Sequence, residues 1–558
     1  MAAASSVDTR DHRIARESWY VAAIGLFFCI AGLWQQPFID FESRFALFAQ
    51  EMLRHGPTLF PTTYGQPYPD YPVTGTLLIW LCSLPFGAVT KFSAVLPTAI
   101  ASALNFMLLY RLLAPWSRRW ALTALCMQLM TITFIAEARS PSLDQMVATL
   151  TLLGFYLVHT AQPSTNDSAQ ARLPRSLALV LLAGFAVRGP IGVVIPSAVI
   201  AAYCTITHNW RALLKFSALA LGVLIVAWGA LLLLSAKLYG MPFVWDVLRM
   251  QVFGRLESRQ GSEPFYYFSS SLGNYALAYP LALMVIAAIA ARAFKISSAE
   301  TNKFSTETNA LLLALIAWVA IVMIGLSIPH VKKARYLLPI VPALAAIAAY
   351  PWFETPTRPL VWIKLVVEKL FAILPLLFII ALAVMHHRAK HHHGGVHLPL
   401  PILYTALVAA QLAAAWVYLK SMPSVRSVWL AIIAAVSLWL VAVIAIEPAQ
   451  RQLHDTANFV AQVEALRAQK PGALALFGMT KDGEAIKYLV NVPHDFTPFF
   501  VRDATGIAQL ERPVYVMIND RNINEVADSS GATNVLTTAS RVLTGYFDGH
   551  AFSVFYLP

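Results

Sequence analysis

The chain has 558 residues, of which 58% are apolar and 13% charged. A soluble domain carries about a quarter charged residues, so a purely soluble globule is excluded; at roughly 20 residues per bilayer span there is room for about a dozen spans and a small soluble domain. The 41 basic against 29 acidic residues give +12, which in such a chain fits Lys/Arg-rich cytoplasmic loops and not a nucleic-acid surface.

Arg10, Arg13 and Arg16 precede the first apolar block, at 18–34. No small-residue cleavage site follows, so the block reads as a retained first helix and not a signal peptide. Further blocks follow at about 93–114, 119–137, 143–160, 174–188, 189–206, 211–237, 271–292, 308–328, 334–351, 361–385, 400–420 and 427–446, giving thirteen expected spans. The stretch 73–92 is apolar too, but Pro72 and Pro85 bracket it, and it reads as helices lying at the interface. With the N-terminus in the cytoplasm, alternation places Arg118-Arg119, Arg172, Arg175, Arg211, Lys295, Lys303, Arg358, Lys364, Lys420 and Arg426 inside, the expected bias. The outer side then holds 35–92, 238–270 and everything after 446. Residues 1–446 form the membrane domain in this reading, and 447–558 a small soluble α/β domain. Its expected elements are a helix near 451–469, strands at Ala473–Met479 and Pro513–Ile518, and a turn at Phe547–His550. Cys29, Cys82, Cys126 and Cys204 lie in apolar blocks without metal spacing and read as small hydrophobes. The His-rich run His386–His393 reads as a solvated outer loop, with metal binding left open.

The outer side keeps charge that membrane topology alone would remove. Ile39-Asp40-Phe41-Glu42-Ser43-Arg44 opens an amphipathic interfacial helix that continues to Leu53. Gly65–Pro72 is a proline-pinned loop carrying Asp70 and Tyr71. Arg139 and Asp144 flank the next outer turn; Asp144 at a span's start also suits a helix cap. Arg188 stands at the break before Gly189-Pro190, and Lys332, Lys333 and Arg335 precede Tyr336. Cations hold phosphate oxygens well, and carboxylates accept or orient a proton. Both on one membrane face is the combination that sugar transfer from a polyprenyl phosphate requires.

Glu42–Ala46 with Gln50–Leu53, then Gly65–Tyr68, Asp144, Arg188-Gly189-Pro190, Pro264–Tyr267 and Lys333–Tyr336 with Leu338-Pro339 resemble, in order, bacterial aminoarabinose transferases. These belong to the protein O-mannosyltransferase-like group of GT-C membrane glycosyltransferases. The resemblance implies a polytopic α-helical GT-C fold of about thirteen spans, with outer juxtamembrane helices and a C-terminal outer domain. It implies an inverting glycosyltransferase of the bacterial inner membrane, moving a sugar from undecaprenyl phosphate to a periplasmic lipid A or other glycolipid, with membrane lipids around it. Asp40, Glu42 and Asp144 are then the catalytic candidates. Arg188, Lys332, Lys333 and Arg335 are expected on the donor phosphate. Arg44, Asp70, Tyr71, Arg139, Arg255, Arg259, Tyr266, Tyr267 and Tyr336 are expected to line the substrate. No cofactor is implied with certainty, and a divalent metal is left open. The chain departs from the family pattern where Phe41 occupies the first-loop Asp position, Tyr71 replaces a Lys, and 238–270 holds no His. Two alternatives stay beside the transferase: a catalytically degenerate relative that binds a lipid-linked sugar or a partner enzyme, and a transporter of lipid-linked sugars.

Overall fold

The computed structural model describes residues 2–34, 38, 43–70, 72–161, 174–253, 263–295, 306–355, 357–391, 399–454, 456–523 and 539–558. Helix α1 (Ala2–Ile30) leads to α2 (Ser43–His55), whose apolar face carries Phe45, Leu47, Phe48 and Met52, all buried. Strands β1 (Thr62–Thr63) and β2 (Gln66–Pro67) pair as a hairpin around Tyr64 and Gly65. Both turn residues have positive φ, 55° and 69°, the pairing a type I′ turn needs. Glu51 Oε1 accepts the Tyr64 amide at 2.9 Å and so fastens this hairpin to α2. Helix α3 (Thr74–Ser83) has ten residues, about 15 Å, half of what a crossing requires.

The bundle follows: α4 (Lys91–Leu113), α5 (Arg118–Leu129), α6 (Ile132–Ala138), α7 (Leu143–Thr160), α8 (Ser176–Arg188), α9 (Ile191–Ile206) and α10 (Trp210–Leu248). After these come α11 (Tyr266–Asn274), α12 (Ala278–Lys295), α13 (Thr306–Ser327), α14 (Val341–Ala348), α15 (Arg358–His391), α16 (Leu400–Lys420) and α17 (Pro423–Val441). Every expected apolar block falls on helix. Among the described residues, seven helices are individually long and apolar enough to cross a membrane, and nine if the bent pairs α5/α6 (75°) and α11/α12 (114°) count as one crossing each. The remaining blocks are short or polar at one end. Inside the bundle Gln128 Nε2 donates to Asn105 Oδ1 at 2.8 Å, and Asn105 Nδ2 to Thr149 Oγ1 at 3.3 Å. This chain links α5, α4 and α7 where unpaired amides would be costly. The four cysteines are free, three of them buried.

Three expectations are corrected. The blocks at 174–188 and 189–206 are helices of 13 and 16 residues, about 20 and 24 Å, so they form a short hairpin. The expected outer loop from 238 begins as helix, because α10 continues beyond a kink at Gly240 (φ 81°, ψ 178°) to Leu248. The histidine run is not a loop throughout, since α15 extends to His391; residues 392–398 lie outside the described set.

After α17 the chain enters α18 (Glu447–His454) and α19 (Thr456–Gln469), then a five-stranded sheet. Its order is β4 (Phe499–Val501), β3 (Ala473–Phe477), β5 (Val514–Asn519), β7 (His550–Leu557), β6 (Ser540–Phe547), with β3 parallel to β4 and β5 and the rest antiparallel. The expected strands and the 547–550 turn sit in this sheet. Helix α20 (Glu484–Leu489) faces α2: Ile486, Leu489 and Val490 share one buried cluster with Phe45, Leu47 and Phe48. Arg54 seals its edge, pairing with Asp495 at 3.1 Å and donating to the Val492 carbonyl at 2.8 Å.

Candidate functional site

Asp144 is the second residue of α7, where a carboxylate suits the positive end of the helix. It does not cap that helix: Ser142 holds the cap position. The Asp144 carboxylate instead takes Arg188 Nε on Oδ1 at 3.0 Å and Arg335 Nε near Oδ2 at 3.3 Å. Arg188 reaches it from the apex of the α8–α9 hairpin. Gly189 next to it has φ 65°, which only glycine adopts without strain. The two helices of that hairpin touch through backbone. A Cβ built on Gly184 would stand 2.1 Å from the Gly192 carbonyl oxygen, and one on Gly192 would stand 1.9 Å from that of Gly184. Tyr336 lies beneath both guanidiniums, its ring 5.8 Å from Arg188 Cζ and 6.0 Å from Arg335 Cζ.

This ion cluster borders a cavity of about 660 Å³. Its apolar lining includes Val147, Ile191, Ile195 and Leu326. Its charged lining comprises Arg44, Arg188, Arg249 and Lys333 together with Asp70, Asp144 and Asp246. Arg44 is held from two sides, donating to the Tyr68 hydroxyl at 2.9 Å and to the Asp482 carbonyl of the C-terminal domain. Lys333 opens into the cavity yet has protein around it. Burial, then the charges of Arg335, Arg44 and Arg188, hold its pKa below the usual lysine value, with Asp144 opposing them. A second cavity of about 280 Å³ lies across the Asp144–Arg188 pair and is lined by Phe45, Glu137, Ser140, Ser142 and Arg335. Among the described residues no three His, Cys, Asp or Glu side chains converge as metal ligands.

Of the expected site residues, Arg44, Asp70, Asp144, Arg188, Lys333, Tyr267 and Tyr336 line the larger cavity, and Arg335 lines the smaller. Tyr266 packs edge-on to Tyr267, 5.4 Å between ring centres, and lines neither. Lys332 is buried and also lines neither. Asp40, Glu42, Tyr71, Arg255 and Arg259 lie outside the described residues. Arg139 is a correction: it lines neither cavity. It donates to the carbonyls of Phe28 at 3.0 Å and Ala31 at 2.8 Å, closing the end of α1, and pairs with Glu447 Oε2 at 2.8 Å. Its charge answers exposed helix carbonyls, which sequence position alone does not reveal.

Asp246 and Arg249 are not among the expected site residues because the sequence reads as an outer loop over 238–270. The available signal was Phe243, Val244 and Val247, apolar at helical spacing just after Gly240 and Pro242, and all buried in the structure. Glu137 went unremarked inside an apolar block.

Residues 71–415 match the Alg9-like mannosyltransferase family. The chain is 27% identical over 342 residues to the undecaprenyl phosphate-alpha-4-amino-4-deoxy-L-arabinose arabinosyl transferase of Aeromonas hydrophila subsp. hydrophila, covering 59% of each chain. It is 26% identical over 347 residues to the protein of the same name from Pseudomonas aeruginosa (strain UCBPP-PA14), covering 60% of this chain and 59% of the relative. The match therefore spans under two thirds of those relatives' length. In structure the chain is similar to ArnT from Cupriavidus metallidurans bound to undecaprenyl phosphate, at TM-score 0.67 and 16% identity, covering 96% of this chain and 97% of that one. The apo form of that protein gives the same TM-score. These likenesses establish the GT-C membrane fold.

Proposed function

The chain belongs to the Alg9-like mannosyltransferase family, and from that premise we propose that it transfers a sugar from a polyprenyl phosphate to a lipid or glycolipid acceptor, with inversion, at the outer face of a bacterial inner membrane. The observation that carries this reading is the clamp of Arg188 and Arg335 on Asp144, beside Lys333, at a cavity also lined by apolar side chains. A polyprenyl phosphate has the matching chemistry, an anionic head on an apolar chain. The names of the curated relatives and the bound lipid of the ArnT structure support the same donor class.

In this mechanism the acceptor oxygen attacks the anomeric carbon in one displacement. The bond between that carbon and the phosphate oxygen breaks, and its electron pair leaves on the phosphate. Arg44, Arg188, Arg249 and Lys333 stand where they stabilise that growing charge. Asp144, with both oxygens engaged, fixes the two guanidiniums and is a positioning residue. The acceptor's proton passes to a carboxylate, for which Asp40 and Glu42, just before α2 in the chain, are the candidates. The smaller cavity, with Glu137, Ser140 and Ser142, suits hydroxyl groups of the sugar or acceptor. Arg188→Ala removes a charge-assisted contact, each worth about 1.5–3 kcal/mol. We expect polyprenyl-phosphate affinity to fall roughly 10- to 100-fold. Unchanged donor binding and turnover in both Arg188→Ala and Lys333→Ala would remove the phosphate from this cavity. Phe41 at the family's Asp position motivates a second reading, a catalytically degenerate relative that binds a lipid-linked sugar or a partner enzyme; donor that binds tightly in wild type but is never turned over would favour it.

A further inference from the structure

The end of the bundle away from Asp144 holds a further charged cavity that sugar transfer does not use. It measures about 600 Å³ and lies where the start of α1 meets the α4–α5 turn. Arg10, Arg13, Arg118 and Arg119 line it with Trp116 and Ser117; among the described residues no carboxylate does. Glu17 stands behind them and takes Arg118 at 3.0 Å and Arg13 at 3.1 Å. One carboxylate thus holds two guanidiniums together, and Arg10 donates to the Pro115 carbonyl from the other side. A basic edge alone needs no ligand, since membrane topology supplies it.

What sets this one apart is its continuation along the same seam. A separate groove of about 230 Å³ runs between α1, α4, α5 and α17, lined on α1 by Val21, Ile24, Gly25 and Phe28 and on α5 by Leu122, Leu125, Cys126 and Leu129. No polar surface lines it. Arg13 to Phe28 is fifteen residues, about 22 Å of helix, against roughly 15 Å for half of a bilayer core. Trp19 (60% exposed) and Tyr20 (62%) lie between the two features, where aromatic side chains mark the interface. Gly25 keeps α1 against α4: a Cβ there would meet Phe106 at 2.7 Å.

We propose that this seam binds an anionic phospholipid, its phosphate among the four arginines and an acyl chain along the apolar groove. Charge complementarity names the head group, and the apolar groove farther along the same helices, past the Glu17 ion pairs, names the tail. A soluble phosphate would explain the first half only.

The test is native mass spectrometry on the full-length, delipidated protein titrated with phosphatidylglycerol, phosphatidylethanolamine or inorganic phosphate. Two variants are compared: Arg10→Gln with Arg119→Gln, which leaves the Glu17 pairs intact, and Leu125→Trp, which fills the groove. Wild type should retain phosphatidylglycerol over phosphatidylethanolamine. The double arginine variant should lose roughly thirtyfold in that retention, as two juxtamembrane cations would give. Leu125→Trp should also lose it, with all its arginines in place. Equal retention in wild type and both variants overturns the proposal. So does displacement of the lipid by inorganic phosphate with no effect of Leu125→Trp, which would make this a free-phosphate site. If the arginine variant does not fold, the head-group preference of wild type and the Leu125→Trp result decide between these outcomes.

Discussion

Lys333 sits in conflict: burial and the charges of Arg335, Arg44 and Arg188 disfavour its charge, and Asp144 opposes them, with the balance below the usual lysine value. Because its folded pKa lies below the unfolded one, the unfolded chain binds more protons between the two values. Without donor, stability therefore rises with pH across that window and is flat below it. A phosphate reverses the balance by favouring the ammonium. Donor affinity should accordingly fall as pH rises, with a midpoint below the ordinary lysine pKa of about 10.4. Lys333→Met should remove that limb and raise the melting temperature of the donor-free protein. A melting temperature that drops, with the pH limb intact, would contradict this. Arg139 is the contrasting case, buried at 3% side-chain exposure and paired with Glu447. Arg139→Ala removes the guanidinium from that carboxylate and from the carbonyls at the end of α1, and should lower stability by about 3 kcal/mol. Donor affinity in the protein that remains folded should change little; a selective loss of donor binding with normal stability would return Arg139 to the site. The sequence exposed these residues because charge stands out on an apolar background. It did not show which cation meets which acid, since Asp144, Arg188 and Arg335 meet only through folding of segments far apart in the chain.

The α8–α9 hairpin depends on two glycines whose backbones touch. Gly192→Ala places a methyl group 1.9 Å from the Gly184 carbonyl oxygen, so the helices must separate. Overpacking of this kind costs about 1–3 kcal/mol, and it moves the apex that carries Arg188. Both thermal stability and donor affinity should fall, whereas Gly229→Ala, which meets nothing within 4 Å, serves as the control. Equal behaviour of the two variants would refute the close-contact account. Helical periodicity made nearly every apolar element readable. Where the reading failed, at 241–248 and at α15 through the histidines, helix lies where loop was expected: Gly240, at φ 81° and ψ 178°, does interrupt α10, and the chain turns helical again after it. Packing of Phe243 and Val247 with Phe60 holds the segment after Gly240 in place.

The C-terminal domain had no role that sequence could assign, because its contribution is a surface and a backbone carbonyl. Its α20 packs on α2, and the Asp482 carbonyl accepts from Arg44 in the larger cavity. Docking of this domain therefore sets the position of a cavity cation. Ile486→Asp with Leu489→Asp should loosen the docking, speed amide exchange in α2 and weaken donor binding about tenfold, the effect of one misplaced cation at about 1.4 kcal/mol per decade. Faster exchange in α2 without loss of donor binding would confine the domain to a structural part. The most direct measurement is transfer of labelled sugar from a polyprenyl-phosphate donor pool in membranes containing wild type, Asp144→Asn or Asp40→Asn. Transfer by wild type that collapses when Asp144 can no longer pair with Arg188 and Arg335 is the expected result. Undiminished transfer by Asp144→Asn, or none by wild type while donor remains bound, would contradict it.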